Sequence, residues 1–334
     1  MAKTNKCEIG VSPFCSELRA GGRILELPGQ YVWCCAPVYD DAGLLHLFFS
    51  SWPESSGMPG WRDHSQIFHA TAASPEGPYQ ILGPVFQSGA GDWDASVFNP
   101  SICRIGGRFV LVYAGRNPAE NPFRMQIGLA VCSADGLASG AWEKTGPVVS
   151  PSGVDGTWNA LHASNPALLA APDGTFRIYY KAMGMENEPR LRTIGVAVAD
   201  RLEGPYRNDP RNPLMDYRSQ GGDIEDPCVF FLDGKYYLIA EDRTGVATGG
   251  DSSAAAGGTR PGLIYESDDG FRWEPPRTGY QTNDFYFGGP RERFERPQIL
   301  WKNGRPEALF LALKGGRYGT SSGAFLKINS SKGS

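Results

Sequence analysis

Histidine is scarce in this chain of 334 residues: there are four, and no His/Asp spacing marks a catalytic metal. The seven cysteines are odd in number, which excludes a fully paired disulfide framework. Several fall in apolar runs that read as buried strands, the pattern of reduced thiols. Cys34 and Cys35 are adjacent, so they cannot face the same side of a strand or share a metal. Positive charge is not in excess. Lys and Arg total 32 against 36 Asp and Glu, a net charge of −4 with no basic run, so the chain lacks the electrostatic footprint of a nucleic-acid binder. No apolar stretch approaches the length of a membrane span. The N-terminus, MAKTNKCEIG, is not a signal peptide, which gives a cytoplasmic reading of the chain as written.

Glycine and proline are plentiful, at 43 and 26 residues, as expected when many short strands need turns. One pattern recurs five times. APVYDDAGLLHLFFS begins at Ala36, NPSICRIGGRFVLVYAG at Asn99 and NPALLAAPDGTFRIYYKA at Asn165. DPCVFFLDGKYYLIAED begins at Asp226 and RPQILWKNGRPEALFLALK at Arg296. Each unit is a Pro-led apolar strand, a turn carrying Gly43, Gly107, Gly174, Gly234 or Gly304, and a second apolar strand. The starts are 63, 66, 61 and 70 residues apart. Radial repetition of strands at such a period predicts an all-β, five-bladed β-propeller, read as one domain across residues 1–334. Third strands follow near His64, Gln126, Arg192, Gly262 and Ser322. A segment near Arg23–Leu27 is expected to pair with the last blade and close the ring, because closure removes exposed strand edges. Ser50–Asp63 and Gly245–Gly262 are insertions between second and third strands of blades one and four; the latter, rich in Gly, Ser and Ala, reads as a surface loop or a lid.

A propeller directs the first residues of every inner strand toward one central channel. Ala36, Asn99, Asn165, Asp226 and Arg296 are therefore expected to converge there. Trp52, Arg116, Lys181, Arg243 and Lys314, where the second strands end, are expected around the mouth as a sugar platform and hydroxyl- or anion-binding cations. His64 and His162 are further polar candidates.

The repeat resembles the five-bladed glycoside hydrolases, above all family 43 and its relatives in families 32, 62, 117 and 130. Glu225-Asp226-Pro227, followed by an apolar strand, a Gly turn and an aromatic strand, is similar to the blade-four acid motif of family 43. By that resemblance Glu225 takes the part of general acid. The family's blade-one base and blade-three carboxylate fall on Ala36 and Asn165, so the usual three-acid set is absent. The acids left to supply a second carboxylate are Glu295, two residues before its Pro as Glu225 is, then Asp94 and Asp226, with the pair Glu241-Asp242 behind them. The resemblance implies a hydrolase, exo-acting on a short or branched oligosaccharide; the cations at the mouth suggest an acidic sugar. A lyase or a non-catalytic sugar-binding propeller are the alternatives. No cofactor is expected, and a structural ion on the propeller axis is left open.

Overall fold

The computed structural model describes residues 9–89, 91–120, 123–137, 140–185, 190–245 and 259–329. A short helix, α1 (Pro13–Glu17), is capped by the Ser12 hydroxyl, which accepts from the Cys15 amide. It leads into β1 (Leu18–Ile24). Blade one follows as β2 (Gln30–Tyr39), β3 (Leu45–Pro53), β4 (Gln66–Ala72) and β5 (Gln80–Pro84). Blade two is β6 (Ser96–Ile105), β7 (Arg108–Arg116), β8 (Gln126–Ser133) and β9 (Glu143–Val149). Blade three is β10 (His162–Ala170), β11 (Phe176–Met183), β12 (Arg192–Ala199) and β13 (Arg207–Asn208). Blade four is β14 (Ile224–Leu232), β15 (Lys235–Asp242), β16 (Gly262–Ser267) and β17 (Arg277–Tyr280). Blade five is built from β18 (Phe294–Lys302), β19 (Arg305–Lys314) and β20 (Ser321–Ile328), with β1 as its outer strand. The register Leu18↔Ile328 through Ile24↔Gly323 joins the two ends of the chain and closes the ring. The expected closing segment therefore starts earlier than Arg23.

The hairpin turns behave as the sequence predicts. Gly43, Gly107, Gly174, Gly234 and Gly304 all adopt φ between +73° and +84°, where a side chain would be strained. Five apolar clusters fill the five spaces between neighbouring blades. One holds Leu47, Phe49, Phe310 and Phe325 between blades one and five, and another Val112, Ile127, Ile178 and Tyr180 between blades two and three. Each sheet is buried on both faces by its neighbours, which explains strands that read as apolar runs rather than strict alternation.

One feature of the inner strands sets the channel. Each of the five carries a bulge in its pairing with the second strand, at Trp33/Ala36, Phe98/Ser101, Ser164/Ala167, Glu225/Cys228 and Glu295/Gln298. Within each bulge one non-glycine residue has positive φ: Cys34, Asn99, Asn165, Asp226 and Arg296, at 52° to 64°. The blade-one member of this set is Cys34, not Ala36. Ala36 lies two residues on, fully buried with Phe48 and Ile67 between blades one and two. In the other four blades a Pro follows the positive-φ residue; in blade one that place is held by Cys35, and Pro37 is out of phase. The spacing to the turn glycine carried the signal. The positive-φ residue precedes it by eight or nine positions in blades two to five, and Cys34 fits that interval where Ala36 falls short.

Candidate active site

The five bulge residues meet on the axis and plug it. The Asn99 amide donates to Asn165 Oδ1 at 2.7 Å, and Asn165 Nδ2 donates to Asp226 Oδ1 at 2.7 Å. Arg296 pairs with Asp226 through Nη1 at 3.0 Å and donates its backbone amide to Asp226 Oδ2 at 3.2 Å. Cys34 Sγ lies 3.4 Å from the Pro100 carbonyl, and burial pushes its thiol up to about 12, which keeps it protonated and unreactive. Asn and Asp tolerate the left-handed conformation, which explains their place in three of the five blades.

Above the plug, buried at the base of the mouth, stands the residue before each bulge residue: Trp33, Phe98, Ser164, Glu225 and Glu295. Their register partners on the second strands are Ser50, Ala114, Lys181, Glu241 and Ala312. Lys181 and Glu241 thus occupy the same depth in neighbouring blades. Trp52 and Arg116 lie two residues further out, and the blade-three equivalent at their level is Met183. The expectation that Lys181 sits beside Trp52 and Arg116 is corrected by two residues. That correction is what brings it to Glu225.

The mouth has an ionic half and an aromatic half. In the ionic half, Glu225 accepts from Lys181 Nζ at 2.9 Å and Arg243 Nη1 at 2.6 Å, with Arg192 Nε at 3.6 Å. Arg192 and Arg243 both also reach Asp223. Glu295 is held in a two-point contact by Arg293, at 2.6 and 3.2 Å. Burial opposes ionisation of Glu225, but Arg192, Lys181, Arg243 and Arg296 outweigh it and hold the carboxyl well below the usual range. Glu241 goes the other way: burial, then Glu295, raises it well above that range, against the pull of Arg243 and with further help from Glu225 and Asp226. Burial also carries Asp226 up to about 6 in spite of Arg296, because Glu225 and Glu295 stand close.

Oxygens of Asp226, Glu241 and Glu295 lie within 4.8 Å of one another, close enough to hold a cation. All three already have a guanidinium partner, Arg296 on Asp226, Arg293 on Glu295 and Arg243 on Glu241. This donor set suits protons shared among carboxyls better than a metal ion, since the compensating positive charge is built into the protein.

The aromatic half belongs to blades one and two. Trp33 carries Arg293 over its ring at 5.3 Å. Phe98 meets Trp61 edge-on at 5.1 Å, and Trp61 meets Phe123 at 6.1 Å. Trp61 comes from the blade-one insertion, two 3₁₀ turns and a short helix, α2 (Trp61–His64). The insertion is fastened across blade two by Asp63, 2.6 Å from Arg116.

Several expected site residues have other duties. Trp52 is 1% exposed, stacks on Tyr31 and donates its indole N–H to Gly57, so it supports the insertion and offers no platform to a sugar. Asp94 is taken inside blade two by the Tyr113 hydroxyl at 2.8 Å and Lys144 at 2.9 Å. Asp242 caps the turn after β15, accepting from the Thr244 and Gly245 amides. Arg116 is engaged by Asp63, and Lys314 and His64 are exposed. His162 is buried, its Nε2 2.8 Å from the Phe123 carbonyl; burial and Lys181 bring it down to about 3, so the ring is neutral. Of the blade-four insertion, residues 246–258 lie outside the described residues. Asp223, Arg192, Trp33, Phe98 and Trp61 were missed, because nothing in the sequence distinguishes a channel-facing residue here from a core one.

A cavity of about 880 Å³ lies at the opposite mouth, lined among others by Tyr39, Arg104, Leu169, Phe231 and Trp301. Its two acids are already engaged: Asp41 by Arg104 and Asp40 by His46. Size alone does not make it the site; the converging carboxyls are at the other mouth.

The same fold is found among known proteins. The structure of a BT0996 complex with RGII aligns with a TM-score of 0.68 and 15% identity, covering 94% of this protein and 93% of that one. Zg3597, a family 117 glycoside hydrolase from the marine bacterium Zobellia galactanivorans, aligns with a TM-score of 0.65 and 17% identity over 93% and 91%. The fold is that of the five-bladed glycoside hydrolases. In sequence, the chain is 26% identical over 254 residues to extracellular endo-α-(1→5)-L-arabinanase 2 of Bacillus subtilis (strain 168), covering 72% of this chain. The chain matches about half, 49%, of that relative's length. No protein-family profile matches the chain.

Proposed function

We propose that the chain is a glycoside hydrolase acting on an oligosaccharide at the mouth formed by β2, β6, β10, β14 and β18. The observation that carries this reading is the pair Glu225 and Glu241, opposite each other in the β14–β15 register, with Glu295 on the next blade. Glycoside cleavage needs one carboxyl to give a proton and another to bear negative charge close by. The pair supplies both states from one strand pair, because the cations on Glu225 and the acids around Glu241 push their proton affinities apart. Trp61, half-buried and packed against Trp33 and Phe98 behind it, supplies the apolar wall on which a sugar's C–H face stacks.

The blade-one insertion, fastened by Asp63 and Arg116, walls one side of the mouth, which favours an exo-acting enzyme on a short or branched chain. Lys181, Arg192, Arg243, Arg293 and Arg296 face Glu225, Asp223, Glu295 and Asp226, while Glu241 keeps its proton. The lining is left slightly cationic in a chain of net charge −4. That balance favours a sugar carrying a carboxylate. The ligand named for one relative, RGII, and the α-(1→5)-L-arabinan linkage named for another support fragments of these two polysaccharides as first candidates. The test is a screen of RGII fragments, arabinan oligosaccharides, uronate-bearing disaccharides and aryl glycosides with wild type and Glu225→Gln in parallel. Sugar release by wild type alone supports the reading. Unsaturated product absorbing in the ultraviolet would replace it with a lyase, and binding without turnover would replace it with a carbohydrate-binding propeller.

A further inference from the structure

A hydrolase at this mouth needs one carboxyl to give the proton, and the resemblance to family 43 assigns that part to Glu225. We propose instead that Glu241 is the proton donor, that Glu225 is the anionic nucleophile, and that the reaction proceeds with retention. The inference rests on the hydrolase reading and deepens it.

Three observations carry it. First, Glu225 is engaged by cations on both oxygens, Lys181 on Oε2 and Arg243 on Oε1, with Arg192 behind. An acid so placed has no use for a proton, and a carboxylate so placed is aimed by fixed donors. Second, Glu241 is its cross-strand partner, so both side chains leave the same face of the sheet at the same depth. Among the described residues, the groups facing Glu241 include Glu225 and Asp226 from β14, Arg243 just after β15, Glu295 from β18, Arg192 from β12 and Tyr280 from β17. Three of these are acids, and Arg243 and Arg192 are each already engaged by Glu225. Third, Arg243 Nη1 is 2.6 Å from Glu225 Oε1 and 3.7 Å from Glu241 Oε1, which bounds the separation of those oxygens to about 6.3 Å. Inverting pairs stand ~6.5–9.5 Å apart to admit a water, and retaining pairs ~5–5.5 Å.

The steps balance. In the first, the Glu241 proton passes to the glycosidic oxygen as its bond to C1 breaks; the aglycone leaves as an alcohol, and a Glu225 oxygen bonds C1. In the second, a water oxygen bonds C1, its proton goes to the Glu241 carboxylate, and Glu225 leaves as carboxylate.

The experiment compares Glu241→Gln and Glu225→Gln on an unactivated oligosaccharide and on a dinitrophenyl glycoside of the same sugar. Product anomers of the wild type are read by proton NMR. Glu241→Gln should lose ~10²-fold or more on the oligosaccharide and little on the dinitrophenyl glycoside, whose leaving group needs no proton. Glu225→Gln should lose both activities, and azide should restore the second as a glycosyl azide. Carbon-13 NMR of protein labelled at the Glu carboxyls should show Glu241 protonated at pH 6 and Glu225 ionised, assigned by the same variants. The reversed pattern of substrate dependence, an inverted product, or an ionised Glu241 with a protonated Glu225 would each overturn the assignment while leaving the hydrolase reading intact. A wild type that turns over no glycoside overturns both.

Discussion

Replacing Lys181 by Met removes one of the four cations that hold Glu225 ionised while keeping much of the side-chain volume. Lys181 Nζ is 2.9 Å from Glu225 Oε2, and the two side chains are 7% and 5% exposed, so solvent screens the pair weakly. At an effective dielectric near 20 the gross attraction is about 6 kcal/mol. Removing the buried ammonium returns its desolvation cost, and Arg243 at 2.6 Å and Arg192 at 3.6 Å continue to hold the carboxylate. The net loss expected is therefore ~2–3 kcal/mol, below the 3–5 kcal/mol typical when a buried charge is left wholly alone. Losing that cation raises the Glu225 pKa toward the ordinary carboxylate range. The sign follows from the depressed native value. The stabilisation from ionised Glu225 is present above its unfolded pKa and is lost as pH falls through its native pKa. In Lys181→Met that loss begins at higher pH, and the acidic limb of the pH–rate profile moves up with it. The assay is urea unfolding and turnover from pH 3 to 8, on Lys181→Met, Glu225→Gln and the double variant. The double variant should recover ~2 kcal/mol relative to the sum of the singles. A coupling under ~0.5 kcal/mol, with an unmoved acidic limb, would show that Lys181 does not hold Glu225 ionised, and the reasoning about the site would fall.

Other outcomes follow from the same geometry. Phe310→Ala, in the cluster shared by blades one and five, should cost ~3–5 kcal/mol in denaturant unfolding, and a loss under ~1 kcal/mol would contradict the packing described. Deleting the chain through Ile24 should leave blade five without its outer strand, giving a protein that self-associates or fails to fold; a well-behaved monomer by light scattering with an unchanged Tm would refute closure by β1. Trp61→Ala should raise KM ~10-fold or more with a smaller change in kcat, since a stacking platform binds ground and transition states alike; an unchanged KM would place the sugar elsewhere. Asp94→Asn should lower stability by ~1–2 kcal/mol through Tyr113 and Lys144 while turnover per folded molecule stays within about twofold; a catalytic collapse would return Asp94 to the site.

The sequence alone determined the blade count, the turn glycines and the closing of the ring, because each rests on local chemistry repeated five times. A glycine at positive φ between two apolar strands reads the same wherever the blade sits. Asn99, Asn165, Asp226, Arg296, Glu225 and Glu295 were legible for the same reason, as fixed offsets from a proline. Blade one was misread because its Pro37 is out of phase, and a single-residue cue cannot locate a bulge that the backbone makes elsewhere. Only the tertiary structure decided the charge states. The push of Glu225 toward its ionised form and of Glu241 toward its protonated form depends on Lys181, Arg192, Arg243 and Glu295, which come from β11, β12, the end of β15 and β18 and meet only when the ring closes. Electrostatic interaction falls with distance in space, and strand spacing along the chain carries no record of it.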